Sequence, residues 1–116
     1  MKILASNIDV TDKKKVYKLT KGESQRVQDL ETGVTMQVDS FALYEETKLD
    51  RNGEEKTQTV LSIVSGGMKI STISKTFIDS FMEIVDLMEG EPFAITITGG
   101  ISKGGRQYVD CEMFCD

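Results

Sequence analysis

The sequence predicts a mainly β protein with one or two helices, arranged as an OB-like five-stranded antiparallel barrel. Apolar and polar residues alternate in five segments, glycine-containing turns separate most of them, and one amphipathic helix falls between the third and fourth segments. This β-β-β-α-β-β order is that of the OB-fold, a small Greek-key barrel. The alternative is an open antiparallel sheet with the helix packed on one face. A chain of 116 residues has the size of a single domain, here residues 1–116.

A short helix is predicted before the barrel. Thr11 and Asp12 are favourable N-cap residues, because their side-chain oxygens accept bonds from the free amides of a first helical turn. Gly22 marks the end of this helix. We therefore expect residues 1–30 to form an N-terminal helical extension and residues 34–114 to form the barrel.

The first three barrel strands are predicted at residues 34–49, 55–65 and 68–73. In the first strand the apolar face shifts by one residue between Val38 and Phe41, which indicates a bulge in a long, curved strand. The pairs Asn52-Gly53 and Gly66-Gly67 predict tight hairpin turns, since these residue types tolerate positive φ.

The clearest helix follows Ser74 and ends at Gly90, with Pro92 soon after. Its apolar residues recur at three- and four-residue intervals on one face, from Phe77 to Met88. The last hairpin comprises strands at residues 93–98 and 107–114, joined by a glycine-rich connection.

The composition argues against catalysis. The chain has no histidine, which removes the commonest general base and the commonest metal ligand. No P-loop, nucleophile-elbow or calcium-loop motif occurs. A strand would hold Cys111 and Cys115 about 13 Å apart, too far for a disulfide, so both are expected to be buried or incidental thiols. We expect a non-enzymatic binding protein without a metal or a cofactor.

Charge is unevenly distributed along the chain. The net charge is −5, yet residues 11–27 carry six basic and two acidic residues, whereas residues 76–116 carry two basic and eight acidic ones. No apolar run is long enough to cross a bilayer, and the first residues contain too short an apolar stretch for a signal peptide. We expect a cytoplasmic protein with no membrane contact.

The OB-like mapping predicts where a ligand lies. In an OB barrel, ligands bind between two loops that correspond here to residues 49–53 and 99–105. Single-strand binding needs cations for the phosphates and aromatic faces for the bases. The residues near these loops that offer such groups are Tyr44, Arg51, Lys56, Lys69, Lys103, Arg106 and Tyr108.

Two short motifs resemble a known family. The helix start at residues 74–78 is S-K-T-F-I, and residues 102–108 are S-K-G-G-R-Q-Y. Both resemble small single-stranded DNA-binding proteins of phages that infect Gram-positive bacteria, and the resemblance covers about residues 30–114. It implies a binding hairpin that contains Lys103, Arg106 and Tyr108.

Two functions follow as hypotheses. The first is a sequence-nonspecific single-stranded DNA-binding protein in phage replication or recombination, with homo-oligomers and contacts with other replication or host proteins left open. The second is a protein-interaction module, such as an acidic phage inhibitor of a host nuclease or defence protein. The eight carboxylates of residues 76–116 would then mimic the charge of nucleic acid.

Overall fold

Residues 1–115, which the computed structural model describes, form eight β-strands, two α-helices and one 3₁₀ turn. The strands build two sheets, one of five strands in the order β1-β4-β5-β6-β2 and one of three in the order β3-β7-β8. None of the helices in this part of the chain is long and apolar enough to cross a membrane. In chain order the elements are β1 (Lys2–Ser6), α1 (Lys13–Thr20), β2 (Gln25–Arg26), the 3₁₀ turn (Val27–Asp29), β3 (Thr35–Gln37), β4 (Ser40–Leu49), β5 (Glu55–Ser65), β6 (Met68–Thr72), α2 (Lys75–Met88), β7 (Ala94–Ile101) and β8 (Gln107–Met113).

The mainly β architecture with two helices is confirmed, but the strands of residues 1–115 form two sheets, of five and three strands, and not a closed version of the predicted five-stranded OB-like barrel. In a closed barrel the strands leave no free edge, so every strand pairs on both sides. Here the end strands of each sheet, β1 and β2 in the large sheet and β3 and β8 in the small one, pair with one strand only. β2 pairs in parallel with β6, whose other edge pairs with β5. The 3₁₀ turn that follows β2 lies against both β6 and β8. The N-terminal segment, where the sequence predicted only a helix, thus contributes an end strand to the large sheet.

The chain passes from the small sheet to the large one between Val38 and Asp39. The amide of Val38 donates to the carbonyl of Phe93, just before β7, and the amide of Asp39 donates to the carbonyl of Val64 in β5, both at 3.0 Å. The sequence predicted one bulged strand across this point. The one-residue shift in the apolar pattern instead marks the break between β3 and β4, because each half pairs with a different sheet.

Two polar side chains hold this crossing in place. The Asn7 side-chain oxygen accepts a bond from the Phe41 amide at 2.8 Å, and the Asp39 carboxylate accepts one from the Gly66 amide at 2.7 Å. Gly66 and Gly67 have φ angles of 56° and 85°, so the turn between β5 and β6 has the predicted left-handed conformation.

The main core joins both sheets to α2. Ser74 caps the helix by accepting a bond from the Phe77 amide, and Phe77 and Phe81 are fully buried. The Phe81 ring lies 5.2 Å from that of Phe41 in β4 and 5.7 Å from that of Phe93, so one side chain connects the two sheets. The predicted apolar stripe of this helix is confirmed.

A second, smaller core lies on the opposite face of the large sheet, under α1. Asp12 caps this helix, as predicted, by accepting bonds from the amides of the first turn. Leu19 of α1 packs with Ala42, Tyr44 and Val60 of β4 and β5. β5 is therefore buried on both faces, which explains its run of four buried residues.

The two cysteines differ in their environments. Cys111 is buried in the main core, and Cys115 is exposed; both thiols are free. Burial, with a smaller contribution from the Asp110 carboxylate, raises the pKa of the Cys111 thiol to about 12.

Candidate nucleic-acid interface

The hairpin between β7 and β8 presents two free cations. The amide of Ser102 donates to the carbonyl of Arg106 at 2.8 Å, and that of Gly105 donates to Ser102 at 2.9 Å, with a positive φ of 80° at Gly105. Lys103 and Arg106 are exposed at this tip. Neither forms an ion pair within 4.0 Å among residues 1–115. Their charges are thus available to an anionic ligand.

Tyr108 lies at the base of the same tip, paired across the ladder with Gly100. Its side chain alternates with buried Cys111 and faces away from the core, as predicted, with 47% of its surface exposed. A Cβ atom at Gly100 would lie 3.0 Å from the Tyr108 hydroxyl and 3.2 Å from the ring carbon that bears it. Glycine at this position therefore leaves room for the ring to lie across the neighbouring strand.

A groove of about 510 Å³ runs beside the hairpin. One wall is the hairpin itself, and the other is the segment that follows β2, together with the N-cap of α2. We call this cavity the hairpin groove; its lining residues outside the hairpin are Gln28, Leu30, Thr32 and Ser74.

The β4–β5 hairpin carries two further predicted residues, Arg51 and Lys56. The Asp50 carboxylate organises this turn by accepting bonds from the amides of Asn52 and Glu54, each at 2.9 Å. The predicted positive φ is found at the following glycine but not at Asn52. Asp50 also lies 3.6 Å from the Lys56 ammonium, which is thereby partly neutralised. Arg51 is exposed at the tip.

Lys69 has a structural role that the sequence did not predict. Its ammonium group donates to the carbonyl of Lys18 at 3.0 Å and to that of Lys21, at the C-terminal end of α1. A cation is favourable there because the last carbonyls of a helix have no intrahelical partners. Partial burial lowers the pKa of Lys69.

Tyr44 is also placed differently from the expectation. It is only 5% exposed, packs in the small core beneath α1, and donates its hydroxyl to the carbonyl of Thr20 at 3.4 Å. A ring enclosed in this way offers no open face to a base. The sequence suggested a rim position because it gave no sign that α1 covers this side of the sheet.

The structure thus divides the predicted residues into separate groups. Lys103, Arg106 and Tyr108 share one hairpin of the small sheet, whereas Arg51 and Lys56 share a hairpin of the large sheet. Gln28, which lines the hairpin groove, was not predicted; it lies in a segment without apolar periodicity.

Exposed aromatic rings beside unpaired cations are the groups with which proteins that bind single-stranded nucleic acid contact bases and phosphates. A family model described as phage single-stranded DNA-binding protein matches residues 1–113. The chain belongs to this family, the phage single-stranded DNA-binding proteins of the Phi29 type, and is a single-stranded DNA-binding protein of phage replication. No curated protein and no solved structure matches the chain.

The role of Lys69 can be separated from DNA binding by substitution. Lys69→Met removes the bonds to the α1 carbonyls, and hydrogen bonds of charged groups contribute about 1.5–3 kcal/mol each. Because the site is partly exposed, we expect a loss of about 1–2 kcal/mol in the free energy of unfolding, measured with urea. Lys56→Met, at an exposed ion pair, should change it by less than about 0.5 kcal/mol. Normal stability with weakened DNA binding in Lys69→Met would contradict the structural role.

Proposed function

We propose that the chain binds single-stranded DNA without sequence preference along the β7–β8 hairpin. Lys103 and Arg106 contact phosphates, and a base stacks on Tyr108. The observation that carries this proposal is the exposed ring of Tyr108, seated against Gly100 at the base of a tip with two free cations. None of these contacts distinguishes one base from another, since phosphates are common to all nucleotides and every base has a flat face.

The charges around Tyr108 favour a path toward the hairpin groove. Asp110 and Glu112 follow Tyr108 at alternate positions of β8 and share its face of the sheet. These carboxylates repel phosphates along the rest of that face. A bound strand is therefore directed from the cationic tip toward the groove lined by Gln28 and Ser74, where neutral side chains offer hydrogen bonds.

The proposal assigns binding rather than catalysis to this surface, in replication or recombination in the cytoplasm of an infected bacterium. Membership in the single-strand-binding family favours it over the acidic-mimic hypothesis. The acidic side chains of α2, among them Asp79 and Glu83, are then a solvated helix surface. One of them, Asp79, pairs with Lys75 at 3.0 Å.

Tyr108→Ala tests the stacking contact. Loss of one stacked base removes about 1–3 kcal/mol, so affinity for a labelled oligonucleotide should fall about fivefold to a hundredfold by fluorescence anisotropy. Phe114→Ala is the matched control, since Phe114 is an aromatic residue with the same exposed fraction, 47%, just beyond the other end of β8. Equal affinities for the two variants would exclude Tyr108 from the site.

Gly100→Ala tests the seating of the ring while keeping the tyrosine. The added methyl would lie 3.0–3.3 Å from three atoms of the Tyr108 side chain, so the ring must move away from the strand. We expect a severalfold loss of affinity at an unchanged thermal midpoint. Gly104→Ala is the control, because its Cβ would meet no atom within 4 Å. An unaltered affinity in Gly100→Ala would show that the position of the ring is unimportant for binding.

A further inference from the structure

One side of α1 repeats the chemistry of the hairpin. Lys13, Tyr17 and Lys21 follow one another at four-residue intervals, so the tyrosine lies between two lysines on one stripe. Tyr17 is 66% exposed, more than any other aromatic side chain in residues 1–115. The three residues line a shallow cavity together with Met1 and Val10, which we call the α1 groove.

The positive charge of the protein is concentrated at this helix. Five of the 14 lysines and arginines lie on α1 or at its C-cap, namely Lys13, Lys14, Lys15, Lys18 and Lys21. None of the five forms an ion pair within 4.0 Å among the described residues, whereas Arg26, Lys48, Lys56 and Lys75 each do. In a chain of net charge −5, these five lysines are a local cluster of positive charge, which attracts a polyanion.

A third cavity lies next to both the α1 groove and the hairpin groove. This polar groove, of about 350 Å³, lies on the face of the large sheet beyond the end of α1. It shares Thr20 with the α1 groove and Gln28 with the hairpin groove. The three grooves are therefore neighbours on the surface, and Tyr17 lines the first whereas Tyr108 lines the last.

The polar groove is lined by groups that suit a nucleic-acid strand. Arg26 pairs with Asp29 at 3.2 Å, and Lys48 pairs with Glu46 at 3.3 Å. The bond from the Gln58 amide, and then the nearby Lys48 ammonium, keep the pKa of Glu46 below its usual range, so Glu46 is ionised and its ion pair with Lys48 balances the charge. Amide and hydroxyl side chains supply neutral hydrogen-bonding groups; they are Ser24, Gln28, Gln58 and Ser71.

We propose that a single DNA strand occupies all three grooves, so that a second base stacks on Tyr17 while Lys13 and Lys21 contact the flanking phosphates. This inference rests on the proposed function, because it continues the strand that the β7–β8 hairpin holds. A DNA strand is the occupant that matches the stripe, since a base can stack on the aromatic ring while the phosphates on either side of that base contact the two lysines. A second copy of the chain, docking its acidic α2 on the lysines, is the competing occupant.

Paired charge removal on α1 tests the phosphate contacts. Binding to a single strand weakens as salt rises, and each lost phosphate contact makes this negative slope of log K against log salt less steep by about 0.7. The double variant Lys13→Gln with Lys21→Gln should therefore have a slope that is less steep by about 1.4 and should bind more weakly at low salt. Lys14→Gln with Lys18→Gln is the matched control, because it removes the same charge from the same helix outside the stripe. Equal slopes for the two double variants would overturn the proposal.

Photocross-linking separates this inference from the proposed function. An oligonucleotide of about 20 nucleotides, longer than the roughly 4–16 nucleotides held by one OB-type domain, would carry 5-iododeoxyuridine. Cross-links to both Tyr17 and Tyr108 are expected. Cross-links to Tyr108 alone would overturn the extended path and leave the hairpin site intact; cross-links to Tyr17 alone would overturn both. If the Lys13 and Lys21 substitutions change sedimentation but not DNA affinity, the stripe is a contact between copies, which also overturns the inference.

Discussion

The crossing of the chain from one sheet to the other at Val38 and Asp39 is the constraint on which the architecture depends. Successive amides at this point donate to different sheets, and the side chains of Asn7 and Asp39 satisfy the backbone groups around the break. Because buried backbone groups must be paired, neither half of the segment can shift register independently. The crossing thereby fixes β7, and with it the hairpin that carries Tyr108, relative to the large sheet.

The N-terminal segment supplies part of the proposed binding surface. β2 pairs with the edge of β6 and the 3₁₀ turn contacts both β6 and β8, so Gln28 of this turn lines two of the grooves. α1 covers the small core, and Lys69 donates a hydrogen bond to the Lys18 carbonyl near the C-terminal end of this helix. A net-negative protein thus concentrates its unpaired cations at α1 and two hairpin tips, which is the arrangement that a polyanionic ligand requires.

The sequence predicted the elements whose signals are local. β5 spans the predicted residues 55–65, and α2 begins after Ser74 as its capping pattern indicates, because turn chemistry and periodicity act within a few residues. β1 and β2 were not predicted: β1 (KILAS) shows no alternation of apolar and polar residues, β2 has only two residues, and both exist through pairing with distant strands. The burial of Tyr44 and the bonds of Lys69 depend on the docking of α1, which no local pattern specifies. The exposure of Tyr108 follows from strand alternation alone and was predicted.

The most direct measurement is an amide chemical-shift map of the isotope-labelled 12.9-kDa protein during titration with an oligothymidine strand. We expect a continuous band of shifts from the β7–β8 tip, through Gln28 and the polar groove, to Tyr17. Shifts confined to the acidic face of α2, or absent from the hairpin around Tyr108, would contradict it.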